Sequence, residues 1–123
     1  MTRILLVEDN DDSRSVASEL LRANGYSVVE AANGKVALEL LTSGLTPALV
    51  ILDLEMPVMS GFDLLEIMGR YERLSRLPVL ILSGRWKSPL AWAKPVVGLV
   101  SKPFSAEAFV ATVRTHVNAS PEN

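Results

Sequence analysis

Val50-Ile51-Leu52-Asp53-Leu54-Glu55-Met56-Pro57 decides how the chain is read. Three apolar residues lead directly into a carboxylate, and a turn follows at Pro57. A short continuous apolar run ending at a turn signal is the pattern of a strand buried on both faces, as in a parallel sheet. Asp53 then stands where that strand emerges. In open α/β sheets, ligands bind outside the carboxyl ends of the strands. Asp53 is therefore poorly placed for packing and well placed for chemistry.

Working outward, four more apolar runs of the same kind appear. Ile4–Val7 precedes the acidic run Glu8-Asp9-Asn10-Asp11-Asp12, which can cap and start a helix. That helix is expected from about Asp12 to Asn24, with Val16, Leu20 and Ala17, Leu21 at i, i+4 spacing and Gly25 as its stop. Ser27–Ala31 reads as the second strand. Asn33-Gly34 turns into a second helix with a stripe of Ala37, Leu38 and Leu41, ended by Gly44 and Pro47. The third strand is Ala48–Asp53. Gly61 permits a tight loop before a third helix, which buries Leu64, Leu65 and Met68. Pro78–Leu82 is the fourth strand, closed by Ser83-Gly84. Ser88-Pro89 has the signature of a helix start, and Pro95 disfavours helix beyond Lys94, so the fourth helix, between strands four and five, is expected to be short or irregular. Val96–Val100 is strand five, and Ser105 caps a last helix carrying Phe109, Val113 and Val117 on one face.

Five buried strands alternating with helices predict an α/β fold: a doubly wound, five-stranded parallel sheet with helices on both faces. The common order at this size is 2-1-3-4-5, with its switch point between strands one and three. Asp9 and Asp53 then share one crevice. Each strand end contributes a different group: Glu8 and Asp9 from strand one, Asp53 from strand three, Ser83 from strand four and Lys102 from strand five. Three crowded carboxylates call for a cation. All-oxygen ligation points to a hard divalent ion, Mg²⁺ above others, which keeps its waters and uses one or two carboxylates plus phosphate. A hydroxyl and an ammonium nearby suit the oxygens of a phosphoryl group on Asp53. Singly, the acidic run reads as a helix cap, Ser83 as a turn residue and Lys102 as a surface lysine. Their coincidence at strand ends carries the site reading. An EF-hand loop starting at Asp9 fails, because Arg14 occupies its glycine position and Leu20 its closing glutamate position.

The 123 residues, about half of them apolar, suffice for one domain, expected over 1–118 with residues 119–123 as a tail. A net charge of −2 gives no electrostatic footprint for nucleic acid. The absence of cysteine excludes a disulfide scaffold and thiolate metal sites. No apolar run is long enough to span a bilayer, and a cytoplasmic setting with no membrane contact is expected. Met1 reads as a natural start; a stand-alone protein and a domain of a longer protein both fit the remainder.

Leu6-Val7-Glu8-Asp9, Leu52-Asp53-Leu54-Glu55-Met56-Pro57 with Gly61, Ser83-Gly84 and Ser101-Lys102-Pro103-Phe104, in this order and spacing, closely resemble the receiver domains of two-component response regulators, the CheY-like family of flavodoxin-like fold. The resemblance runs from about Arg3 to Val117. It implies a signalling phosphoacceptor rather than a conventional enzyme, catalysing only its own phosphoryl transfer and dephosphorylation. Asp53 would accept the phosphoryl group from a phosphohistidine on a histidine kinase or histidine phosphotransfer protein. Asp9 and Asp53 would ligate Mg²⁺, Glu55 through its backbone carbonyl and Glu8 through water. Ser83 and Lys102 would each hold a phosphoryl oxygen, and the Lys102–Pro103 bond would be cis. The output would go to a downstream protein, with a homodimer through the fourth helix, strand five and fifth helix as one option.

Three features depart from the family pattern. Leu99 replaces the usual aromatic three residues before the lysine, so signalling by an aromatic flip there is impossible. The stretch between Ser83 and Lys102 is a few residues short, and Gly84 replaces a common alanine. Trp86 and Trp92 fall in that stretch, where Trp86 either covers apolar surface, senses the site or forms a partner patch. A Glu55–Arg85 pair would bridge the path of hydrolytic water and slow dephosphorylation. The alternative function is a receiver-fold protein-binding module that does not switch by phosphate. A flavin carrier on the same fold would want a Ser/Thr-rich phosphate loop after strand one, and Asp9-Asn10-Asp11-Asp12 would instead repel phosphate.

Overall fold

Five short strands with opposite residues facing opposite helical layers set the architecture. The structure, a computed structural model, describes residues 2–56, 58–84 and 96–118. The strands are β1 (Arg3–Val7), β2 (Ser27–Ala31), β3 (Leu49–Asp53), β4 (Val79–Ser83) and β5 (Val96–Ser101), and the helices are α1 (Asp11–Ala23), α2 (Gly34–Thr42), α3 (Gly61–Arg70), α4 (Glu72–Ser75) and α5 (Ala106–Asn118). All strand pairs are parallel in the order β2-β1-β3-β4-β5, as the sequence predicts. The register sets Val7 beside Leu52 and Asp53 beside Leu82, so the tips of β1, β3 and β4 end level with one another.

The period-two alternation of strand side chains divides the core into two layers. Leu5, Val7, Val50, Leu52, Val79 and Ile81 meet Ala37 and Leu41 of α2 and Leu64 and Met68 of α3. Ile4, Leu6, Leu49, Ile51, Leu80 and Leu82 meet Ala17 and Leu21 of α1 and Phe109 and Val113 of α5. β1, β3 and β4 are buried on both faces, which accounts for their unbroken apolar runs.

Local signals start and stop these elements where expected. The side chains of Asn10, Asn33 and Ser60 accept from Ser13, Val36 and Asp63 N–H at the starts of α1, α2 and α3. Ser105 Oγ accepts from Ala108 N–H at the start of α5. Gly25 and Gly44 follow α1 and α2 at φ 91° and 115°, in the left-handed region that stops a helix.

Of the two i, i+4 pairs in α1, the inward face runs through Ala17 and Leu21, with Ser18, while Val16 is 56% exposed. Leu65 and Val117 are only partly buried. The single turn α4, held by Arg73 donating to the carbonyls of Leu41 and Leu45, has no counterpart in the sequence reading. Its four residues carry no hydrophobic period to read. The expected helix beginning at Ser88-Pro89, the side chains of Arg85, Trp86 and Trp92, and the tail 119–123 lie outside the described residues. Among the described residues, no helix is long and apolar enough to cross a membrane.

Candidate functional site

Asp53 closes β3 at the centre of the sheet and is only 4% exposed. One carboxylate oxygen, Oδ1, accepts the backbone N–H of Glu55 at 3.2 Å. The chain turns tightly just after it, and Gly61 makes this turn possible. A Cβ there would lie 2.6 Å from the carbonyl oxygen of Asp53 and 2.7 Å from Cα of Leu54. The Gly61 N–H also donates to the Leu54 carbonyl at 3.0 Å. The first turn of α3 is thus pressed against the strand tip that carries the buried carboxylate.

Glu8 and Asp9 leave β1 beside it. Carboxylate oxygens of Glu8, Asp9 and Asp53 all lie within 4.8 Å of one another, with Glu8 and Asp53 buried and Asp9 half-buried. Glu8 is the most enclosed, at 2% exposure. Its Oε2 accepts the Asn10 N–H at 3.2 Å, and its Oε1 accepts from Lys102 Nζ at 2.8 Å. Burial pushes the Glu8 carboxyl above its usual range and Asp53 adds to this, while the ammonium of Lys102 opposes it.

Lys102 follows β5, and its backbone N–H donates to the carbonyl of Ser83 at 2.8 Å. The Lys102–Pro103 bond is cis, as expected. The ammonium also reaches Asp53 Oδ2 at 3.5 Å. Burial alone would lower the Lys102 pKa, but the bond to Glu8 and the charges of Glu8 and Asp53 raise it above its ordinary value. Ser83 closes β4, fully buried, in register with Ser101. Glu55 is exposed, and its backbone supplies the N–H that meets Asp53.

The expected set therefore comes together: Asp53, Glu8, Asp9 and Lys102 in direct proximity, with Ser83 and Glu55 on the adjoining strand tip and turn. Among the described residues, three carboxylates there stand against one ammonium. The donors are all oxygen, the set a hard divalent ion prefers. Among the described residues, a Cβ at Gly84 would meet only Lys102 Cβ, at 3.9 Å. Leu99 packs, partly buried, against the α2–α3 layer. The Glu55–Arg85 pair and any role of Trp86 involve residues outside the described set.

Two features were not anticipated. A groove of about 510 Å³ opens beside the pocket, lined by Glu8, Asp12, Val16, Lys102, Pro103 and Phe104. The exposure of Val16 is explained by its place in this groove. Arg14, noticed in the sequence only as an obstacle to an EF-hand, donates through Nη1 to the carbonyl of Glu8 at 2.9 Å. No spacing rule links a helical arginine to a strand-end carbonyl, so only the packing of α1 on β1 reveals the contact.

The response regulator receiver domain family matches residues 4–114. The chemotaxis protein CheY of Pseudomonas aeruginosa is 39% identical over 109 residues, covering 85% of this chain and 87% of that protein. The sensor histidine kinase TmoS of Ectopseudomonas mendocina is 37% identical over 114 residues, covering 90% of this chain. The chain spans 12% of the length of that kinase and 60% of the length of a rice two-component response regulator that it also matches. The crystal structure of the receiver domain from the hybrid histidine kinase CckA superposes with a TM-score of 0.78 at 37% identity, covering 94% of this chain and 98% of that one. With its 2-1-3-4-5 parallel sheet and the acidic cluster at the strand tips, the chain belongs to the response regulator receiver domain family of two-component signalling.

Proposed function

We propose that Asp53 is the phosphoacceptor of a phosphorelay and that the pocket works with Mg²⁺. The observation that carries this is the carboxylate cluster of Glu8, Asp9 and Asp53, with the Lys102 ammonium set against Glu8 and Asp53. Asp9 and Asp53 would hold the ion directly, Glu55 through its backbone carbonyl and Glu8 through water. When bound, the ion supplies positive charge to offset the charge gathering on the phosphoryl oxygens during transfer.

In the transfer, an Asp53 carboxylate oxygen forms a bond to phosphorus as the phosphorus–nitrogen bond of the donor phosphohistidine breaks. The imidazole leaves with the electron pair and is restored as a histidine ring. The Glu55 N–H orients the Asp53 carboxylate, and enclosure by the strand tips keeps it from bulk water. Lys102 and Ser83 would hold two oxygens of the acyl phosphate, with the Lys102 ammonium turning from the carboxylates toward the new group. Hydrolysis reverses the state: water attacks phosphorus, inorganic phosphate leaves and the carboxylate returns. The donor would be a histidine kinase or histidine phosphotransfer protein and the output a protein target, with Leu99 excluding an aromatic flip at its own position. The domain would extend over 1–118.

Incubation with acetyl phosphate and MgCl₂ tests this. The expected outcome is the mass gain of one phosphoryl group, stable in acid and labile in base, absent in Asp53→Asn and suppressed by EDTA. A wild-type protein that gains no mass, from acetyl phosphate or from a phosphohistidine donor, would instead be a receiver-fold binding module.

A further inference from the structure

We propose that Arg14 is a positioning residue that fixes the Glu8–Asp9 turn from behind and so sets how tightly the acidic pocket takes a divalent cation. The inference rests on the reading of that pocket as a cation site. Arg14 spreads its guanidinium over three elements. Nη1 donates to the Glu8 carbonyl at 2.9 Å, Nε to Glu30 Oε1 of β2 at 3.1 Å and Nη2 to Asp11 Oδ1 of α1 at 2.6 Å. The side chain is 17% exposed, although Asp11 lies almost wholly in solvent. Glu30 is itself held, by Ser18 Oγ at 3.0 Å and Arg22 Nη1 at 3.3 Å. The fork is therefore braced against β2 and the body of α1, not only against an exposed surface carboxylate.

What it braces is the peptide between the two acidic residues. The Glu8 N–H donates to the Ala31 carbonyl at 3.1 Å, which fixes one side of this residue to β2. Arg14 takes the carbonyl on the other side, where Asp9 begins. Three parallel demands on one guanidinium suit arginine and exceed what the point charge of a lysine can meet. A cation near the start of a helix also opposes the helix dipole, so its place there calls for a local reason. The direction of the Glu8 and Asp9 carboxylates follows from this peptide, and side chains that orient metal ligands from outside the ligand set govern affinity.

Charge and positioning make opposite predictions. As a through-space charge, Arg14 repels a bound cation, so its removal would tighten binding. As a brace, its removal loosens binding although repulsion falls. Calorimetric titration of the full chain with MgCl₂ therefore decides, using wild type, Arg14→Met, Arg14→Lys and Asp9→Asn, with urea midpoints as the check on folding. The Mg²⁺ Kd is expected to rise roughly tenfold in Arg14→Met, and several-fold in Arg14→Lys, where the charge is unchanged. Equal or tighter binding in a folded Arg14→Met, or an unaltered Kd in Arg14→Lys, overturns the brace while leaving the cation site standing. Should Arg14→Met fail to fold, the Arg14→Lys result alone decides. A wild type that binds no Mg²⁺, matching Asp9→Asn, overturns both the brace and the cation site.

Discussion

Glu8, when ionised, is costly for the fold. Its carboxyl is buried beside Asp53, and Lys102 offsets that only in part. A carboxyl whose folded pKa is raised holds a proton that the unfolded chain has already released. Stability is then greatest at or below the ordinary carboxylate pKa and falls as pH rises through the folded value. In EDTA, the wild type should lose urea stability relative to Glu8→Gln as pH is raised from about 4 to 7, and MgCl₂ should shrink that difference. A difference that stays flat across the range would mean that Glu8 is not the group responsible. At Arg14 the hydrogen bonds and charges of Asp11 and then Glu30 raise the pKa and favour the charged guanidinium.

At the scale of elements, the site depends on how closely α3 approaches the tip of β3. Gly61 and Gly84 flank the same pocket but are not equivalent. A methyl at Gly61 would strike backbone at 2.6 Å, which cannot move without displacing the strand end or the helix. Among the described residues, a methyl at Gly84 would meet one side-chain atom at 3.9 Å, an ordinary contact. Gly61→Ala is therefore expected to lose about 2 kcal/mol and to weaken Mg²⁺ binding, whereas Gly84→Ala should fall within about 0.5 kcal/mol of wild type. Urea denaturation of the two variants side by side makes the comparison. The turn leading into α3 also carries Val58 at φ 69°, a left-handed conformation unusual for a β-branched residue.

For the whole molecule, the carboxylates belong together only when the sheet is formed. Glu8 and Asp9 leave β1 and Asp53 ends β3, and the parallel register brings these distant segments side by side. An unfolded chain has no such cluster, so an ion that binds it stabilises the fold by mass action. At ten times its Kd, Mg²⁺ should add about 1.4 kcal/mol to unfolding. The urea midpoint should rise with an unchanged slope, and Asp9→Asn should show no comparable gain.

Most of the fold was legible because burial on both faces leaves a plain mark. Strands β1, β3 and β4 read as unbroken apolar runs, and the caps at Asn10, Asn33 and Ser105 mark helix starts. That Glu8, Asp9, Asp53 and Lys102 lie close together was legible because strand order places strand ends side by side. Which of the two i, i+4 pairs of α1 faces inward was not legible, because a helix with apolar residues on neighbouring positions does not say this by itself. α4 was missed because one turn has no period. Arg14 was invisible as a partner of Glu8 because the bond joins a side chain to a backbone carbonyl, and backbone carbonyls are the same at every residue. By itself, then, the sequence determined the sheet, its order and the identity of the charged groups, since these follow from local patterns of burial and turns. Only the tertiary structure decided which oxygen each nitrogen meets, since that depends on how α1, α3 and β5 pack against the sheet.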